Sequence, residues 1–211
     1  MSEDQPYRYV YGLTGTGPLD VSVEGVGGDP VTTVEHGPHA AIVSDVDTLE
    51  PEESEKNVRA HDEVLRTVMT HGEGRTVVPM QFGMVFKNDR VLENVFRGGR
   101  RAIAEALNHT EGTVELGVKV VTPTPGDGNH GNGVKQDIAN TLADVSIEES
   151  PGDQFSDRLL LNRSYLVERE NRDAFDDAID DVRAKYDELL VQYTGPWPPY
   201  NFVAIEIGAE A

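Results

Sequence analysis

From Thr113 to Ile207 the apolar residues recur at every second position, then every third or fourth, in the order strand, helix, strand, strand, helix, strand. Thr113–Val121 alternates cleanly and places Val114, Leu116, Val118 and Val120 on one face. Thr122–Gly133, rich in proline and glycine, reads as a loop, and Val134–Ala143 as a short helix. A brief strand holding Val145 and Ile147 precedes a Pro151-Gly152 turn and the strand Arg158–Val167. In the next helix Phe175, Ile179, Val182, Tyr186, Leu189 and Tyr193 form an apolar stripe. Its other face carries Asp173, Asp176, Asp177, Asp180, Asp181 and Asp187. Gly195 and the prolines after it are expected to end this helix, and Tyr200–Ile207 to close the sheet. The order β-α-β-β-α-β is that of the ferredoxin-like split βαβ unit.

The first half reads as a separate α+β unit. Tyr7–Leu13 mixes aromatic and β-branched residues with polar ones, as a strand does, and Gly12–Pro18 turns the chain. Val31–Glu35 and His39–Ser44 are strands joined at Gly37-Pro38. A helix opens at Pro51, with Glu52, Glu53 and Glu55 at its positive end, and carries Val58, His61, Leu65, Val68 and Met69 to Gly72. Val77–Phe86 is apolar, but Pro79 and Gly83 make it an edge strand or a bulged one. Asn88 or Asp89 can cap a second helix running through Val91, Leu92, Val95, Phe96, Ile103 and Leu107. The expected division is residues 1–110 and 111–211.

Thirty-eight acidic residues face eighteen basic ones, a net charge of −20. Such a charge repels itself and weakens the compact state, whereas near 1 M salt the Debye length falls to ~3 Å and most of that repulsion vanishes. Adaptation to a salt-rich cytoplasm is the reading; an ordinary acidic protein is the alternative. Nucleic acid is disfavoured as a partner, because phosphate contacts need clustered cations. No apolar run approaches the ~20 residues that cross a bilayer, and Met1–Asp4 opens no signal peptide, so a cytoplasmic protein is expected. The chain has no cysteine, which removes disulfides and thiolate chemistry.

No residue set suggests catalysis. Gly126–Gly131 matches G-x-G-x-x-G, but Pro123 and Pro125 lengthen the connection beyond a tight strand-to-helix turn, so a loop is expected and no cofactor. Counted as a calcium loop from Asp127, its sixth and twelfth places hold Asn132 and Ile138 where glycine and glutamate are needed. The histidines show no H-x-x-x-H spacing, and His61 sits on an apolar stripe as a core or boundary residue, so no metal is expected. Arg97, Arg100 and Arg101 form the only dense basic cluster. They are either a solvated helix face or a surface for an acidic partner, since arginine pairs bidentately with carboxylates. Gly98 and Gly99 beside them weaken the helix and allow a kink.

Several segments together resemble the GvpF/GvpL family of gas vesicle proteins. They are the opening Tyr7–Leu13, the histidine-bearing His61–Met69 followed by Val77–Phe86, Asn162–Glu170, and above all GPWPPYNFV, Gly195–Val203. Thr122–Asp157 is shorter than the helical insertion common in the family, which suggests a short GvpF-type member. The resemblance implies two domains, an N-terminal α+β one and a modified ferredoxin-like one. It also implies a non-enzymatic accessory or minor structural role in vesicle assembly, with contacts to the major shell protein GvpA and other accessory proteins. A ligand-binding regulatory protein on a ferredoxin-like fold is the alternative. Within GPWPPYNFV, Trp197 is expected to pack over a helix–sheet junction; with Tyr200 it is also a candidate for partner contact.

The acidic balance makes stability salt-dependent. Raising KCl from about 0.1 M to about 2 M is expected to lift the melting temperature by about 10 °C, equivalent to roughly 3–4 kcal/mol for a chain of this size. A higher melting temperature at low salt would contradict the halophilic reading.

Overall fold

The computed structural model describes residues 6–72, 74–123 and 128–203. They form two compact units, one holding the chain up to Glu111 together with Val203, the other Gly112–Phe202.

In the first unit β1 (Tyr7–Gly15) is flanked by β3 (His39–Val46) on one side. On the other it meets two short strands, β4 (Val78–Pro79) and β5 (Val85–Phe86), while β2 (Thr32–His36) pairs with β3. All pairings are antiparallel. The Val77–Phe86 segment is thus an edge element, interrupted where Pro79 and Gly83 break the ladder. Helix α1 (Glu55–Thr70) starts four residues later than the Pro51 expectation, because the Ser54 side chain accepts the Asn57 N–H and proline has no such acceptor. Helix α2 (Asp89–His109) is capped by Asn88, whose side chain accepts the Val91 N–H at 3.1 Å.

Both faces of β1 are buried, as expected for a strand covered on each side by a helix. Val10 and Leu13 join Ala41 and Val43 against Leu92, Phe96 and Ile103 of α2, and Val203 packs on that cluster. A register shift between Val10 and Gly12 adds one residue, Tyr11, so that Tyr9, Tyr11 and Gly12 all serve the α1 face. A Cβ on Gly12 would stand 2.9 Å from a Leu65 methyl and 2.7 Å from the Val78 carbonyl, so a side chain there would push the helix away.

The α1 face also buries polar atoms, and each finds a partner. The His61 imidazole is 2.8 Å from the Tyr9 hydroxyl through Nδ1 and 3.1 Å from the Met80 carbonyl through Nε2. A carbonyl can only accept, so Nε2 carries the proton and Nδ1 accepts from Tyr9. The Tyr9 hydroxyl in turn accepts the Gly83 N–H, and the Tyr11 hydroxyl bonds Ser44 and accepts the Val26 N–H. Burial pushes the Tyr9 and Tyr11 hydroxyls up and the His61 imidazole down from their ordinary values. His61 is therefore the core residue its place on the stripe suggested.

The second unit is the ferredoxin-like arrangement. Its elements are β6 (Thr113–Val121), α3 (Gly128–Ala143), β7 (Glu148–Pro151), β8 (Leu159–Glu168), α4 (Arg172–Lys185) and β9 (Leu190–Trp197). The antiparallel sheet runs β7-β8-β6-β9. Val114, Leu116, Val118 and Val120 are buried on its helix side with Tyr165, Phe175, Ile179, Ile138 and Leu142.

Four expectations need correction here. The loop set at Thr122–Gly133 is helical from Gly128, while Gly126 and Asp127 lie outside the described residues. The strand assigned to Val145 and Ile147 is Glu148–Pro151, and Pro151 ends it instead of turning the chain. A short edge strand carrying two glutamates resists sheet-to-sheet pairing, and proline is tolerated at an edge. The long helix stops at Lys185, with Tyr186 as its cap. Asp187 and Glu188 would meet the negative helix end, and Leu190–Trp197 can also be read at period two. In that reading Val191 pairs with Val120 and Tyr193 with Val118, so the helical stripe's last member belongs to a strand. The closing strand is therefore Leu190–Trp197. Tyr200–Phe202 is a 3₁₀ turn, and 204–207 lie outside the described residues.

The neutral imidazole of His61 makes folding pH-dependent. Its folded pKa is lowered, so its contribution is fully present above about pH 6.5 and is lost as pH falls through the lowered value. Acidification from pH 7.5 to 5 is expected to lower the melting temperature of the protein more than that of His61→Phe. At pH 7.5 the variant itself is expected to be less stable by about 2–4 kcal/mol, because the Tyr9 hydroxyl and Met80 carbonyl lose their partner. Parallel pH profiles would overturn the assignment.

Candidate functional site

The outer face of α2 gathers Arg90, Arg97 and Arg101 at positions i, i+7 and i+11, with Asn94 at i+4, all exposed. The opposite face holds the buried Leu92, Phe96 and Ile103, so packing fixes which residues point outward. Arg8 of β1 anchors the start of the helix through Asp89, at 2.6 Å, and also bonds Asp45. Of the three arginines singled out by sequence, Arg97 meets, among the described residues, the Asn94 amide oxygen at 3.3 Å. Arg101 pairs with Glu105 at 2.7 Å, both exposed, and an exposed pair of this kind contributes little and exchanges readily. Arg100 stands near His39, whose imidazole is pushed down by burial first and by that guanidinium second. Among the described residues neither Arg90 nor Arg100 has a carboxylate partner.

The helix runs through Gly98 and Gly99 as one element. A Cβ on Gly98 would meet nothing, and one on Gly99 only the Ile103 side chain at 3.5 Å, an ordinary contact. Each glycine costs about 1 kcal/mol relative to alanine in a helix interior, and nothing in the packing of the unit requires them. What they provide is a low surface between arginines.

Trp197 and Tyr200 lie in the other unit. Trp197 ends β9 opposite Glu115 of β6, half-buried, at a strand end instead of the helix–sheet junction expected. An extra residue in β9 produces a bulge between Thr194 and Trp197. Gly195 sits there at φ +122°, and a Cβ on it would stand 2.9 Å from the Glu115 carbonyl. The 3₁₀ turn then brings Asn201 over Glu115. The backbone N–H of Asn201 donates to Glu115 Oε2 at 2.9 Å and its Nδ2 to Oε1 at 2.5 Å, with Ser164 3.1 Å from the same Nδ2. Glu115 is 5% exposed, so this is a buried carboxylate held by directed donors. Tyr200 is exposed beside it.

Glu115 was not singled out by sequence, because a glutamate at an alternating strand position reads as solvent-facing. Nor was the open groove of about 470 Å³ at one end of the first unit, lined by Thr16, His39, Arg75, Asn108 and Glu111 among others. No group of three or more potential metal ligands occurs among the described residues.

A sequence profile described as "Gas vesicle synthesis protein GvpL/GvpF" matches residues 7–127 and 129–204. The chain is 54% identical over 203 residues to gas vesicle protein F1 of Halobacterium salinarum, covering 96% of this chain and 95% of that one. It is 50% identical over 204 residues to gas vesicle protein F of Haloferax mediterranei, with the same coverage. The fold matches the crystal structure of the gas vesicle protein GvpF from Anabaena at a TM-score of 0.87 and 20% identity, over 96% of this chain and 98% of that one.

The Glu115–Asn201 contact ties the turn to the sheet. Asn201→Ala is expected to lower stability by about 1.5–3 kcal/mol, the range for a hydrogen bond to a charged group, as read by thermal melts in high salt. A loss below about 0.5 kcal/mol would show that the turn is held by its prolines alone.

Proposed function

The chain belongs to the gas vesicle GvpL/GvpF family, and from that premise we propose that it acts in vesicle assembly or nucleation by binding the monomeric shell protein GvpA and other accessory proteins. A gas vesicle accessory role follows from the family; the direct handling of shell protein is the proposal. The observation that carries it is full-length similarity to haloarchaeal gas vesicle F proteins. The −20 charge suits the same salt-rich setting. An apolar shell subunit needs a soluble partner that covers its strand edges until it joins an ordered array. The edge strand β9, LVQYTGPW, carries no charged residue in a strongly acidic chain, and Leu190 on it is exposed. This supports strand addition as the mode, with Trp197 and Tyr200 at its end as contact residues. The arginine face of α2 is a second surface, suited to carboxylates.

Pull-down with the full chain in about 2 M KCl is expected to recover shell protein. Trp197→Ala with Tyr200→Ala is expected to reduce the recovery by about tenfold. Failure to recover shell protein at all would overturn the reading, and undiminished recovery by the double variant would remove these two residues from it.

A further inference from the structure

Cations are scarce in this chain, and several are paired. Arg8, Arg59, Arg101, Arg163, Arg172, Arg183 and Lys185 each have a carboxylate within 4.0 Å. On α2, Arg101 is paired with Glu105 and Arg97 holds the Asn94 amide, while among the described residues Arg90 and Arg100 have no carboxylate. Gly98 lies open among them. A bare, low surface edged with guanidinium groups is built for the close approach of something acidic.

The same molecule carries the complement. On α4 the exposed Asp173, Asp177 and Asp180 stand at i, i+4 and i+7, with the small, exposed Ala184 at i+11. Asp180 pairs with Arg183 at 3.2 Å, whereas Asp173, Asp177 and Asp181 have no partner among the described residues. Arg90, Asn94, Arg97 and Arg101 have the same i, i+4, i+7, i+11 spacing. At 1.5 Å per residue, seven residues span about 10 Å on either helix, so the two ridges match in length. Laid antiparallel, Arg101 faces Asp173, Arg97 faces Asp177 and Asn94 faces Asp180. The helix dipoles then also oppose each other.

We propose that the arginine face of α2 docks the aspartate face of α4 from a second copy of this chain. The contact joins two different surfaces, so copies can repeat it head to tail, into a closed ring or an open chain. It rests on reading the α2 face as an interaction surface, and does not depend on shell-protein binding. Salt decides when it forms. At about 0.1 M the repulsion between two copies of charge −20 acts over ~10 Å; near 1 M and above it is confined to ~3 Å, while paired charges in contact are less affected.

Sedimentation of the full chain in about 2 M KCl, across a concentration series, tests this directly. The protein is expected to grow beyond a dimer with concentration. Arg97→Glu/Arg101→Glu and Asp173→Arg/Asp177→Arg are each expected to weaken association by at least about tenfold. Mixing the two variants is expected to restore it, since each supplies the charge the other needs. Because all four side chains are exposed, circular dichroism should show both variants folded; if a reversal unfolds the chain, Arg97→Gln/Arg101→Gln gives the same weakening. Gly98→Ala is expected to raise the melting temperature yet weaken association, an opposition that a purely structural glycine would not produce. A protein that stays monomeric at all concentrations overturns the proposal. So does an oligomer indifferent to both reversals, or a mixture that fails to reassociate. Shell-protein recovery that survives the reversals leaves the assembly role standing apart from this contact.

Discussion

An excess of acidic over basic side chains that leaves a net charge of −20 governs what this structure can afford to do with its cations. Most arginines lie against carboxylates or cap carbonyls, as Arg8 does at the start of α2 and Arg158 does at the Thr122 and Pro123 carbonyls. Self-repulsion is relieved where long-range charge is screened, so the same composition that threatens the fold in dilute salt is harmless in concentrated salt. Among the described residues Arg90 and Arg100 of α2 have no carboxylate partner, and the helix between them carries two helix-weakening glycines.

The whole chain is only 37% hydrophobic, and the first unit builds its core economically. It covers β1 on both faces and lets aromatic polar groups fill the α1 side. Tyr9, Tyr11 and His61 bring large buried area, and their polar tips are paired with one another, with Ser44 and with backbone groups. Unpaired, each of those atoms would cost more than its hydrogen bond contributes. The single extra residue at Tyr11 lets both tyrosines face the same helix.

GPWPPYNFV shows how a family signature and a functional site can differ. Its glycine is required by a carbonyl 2.9 Å from where a Cβ would be, and its asparagine satisfies a buried glutamate. These are structural duties. Trp197 ends an uncharged edge strand, and Tyr200 opens the 3₁₀ turn that follows it.

The sequence by itself determined the two α+β units, the β-α-β-β-α-β order, the capped helix α2, the core place of His61 and the family, because hydrophobic period, capping residues and motif are local properties. Tertiary structure alone decided the end of α4 and the identity of the closing strand. Tyr186, Leu189 and Tyr193 fit a helical stripe, and only pairing with Val118 and Val120 reveals that Leu190–Trp197 is extended. Glu115 and Asn201 are separated by 86 positions, and no local pattern links a strand glutamate to a turn asparagine. Which arginines lack partners was equally hidden, since pairing depends on residues brought together from distant parts of the chain. Sequence named the cluster Arg97, Arg100 and Arg101; the fold added Arg90 and set it on the face opposite Leu92, Phe96 and Ile103.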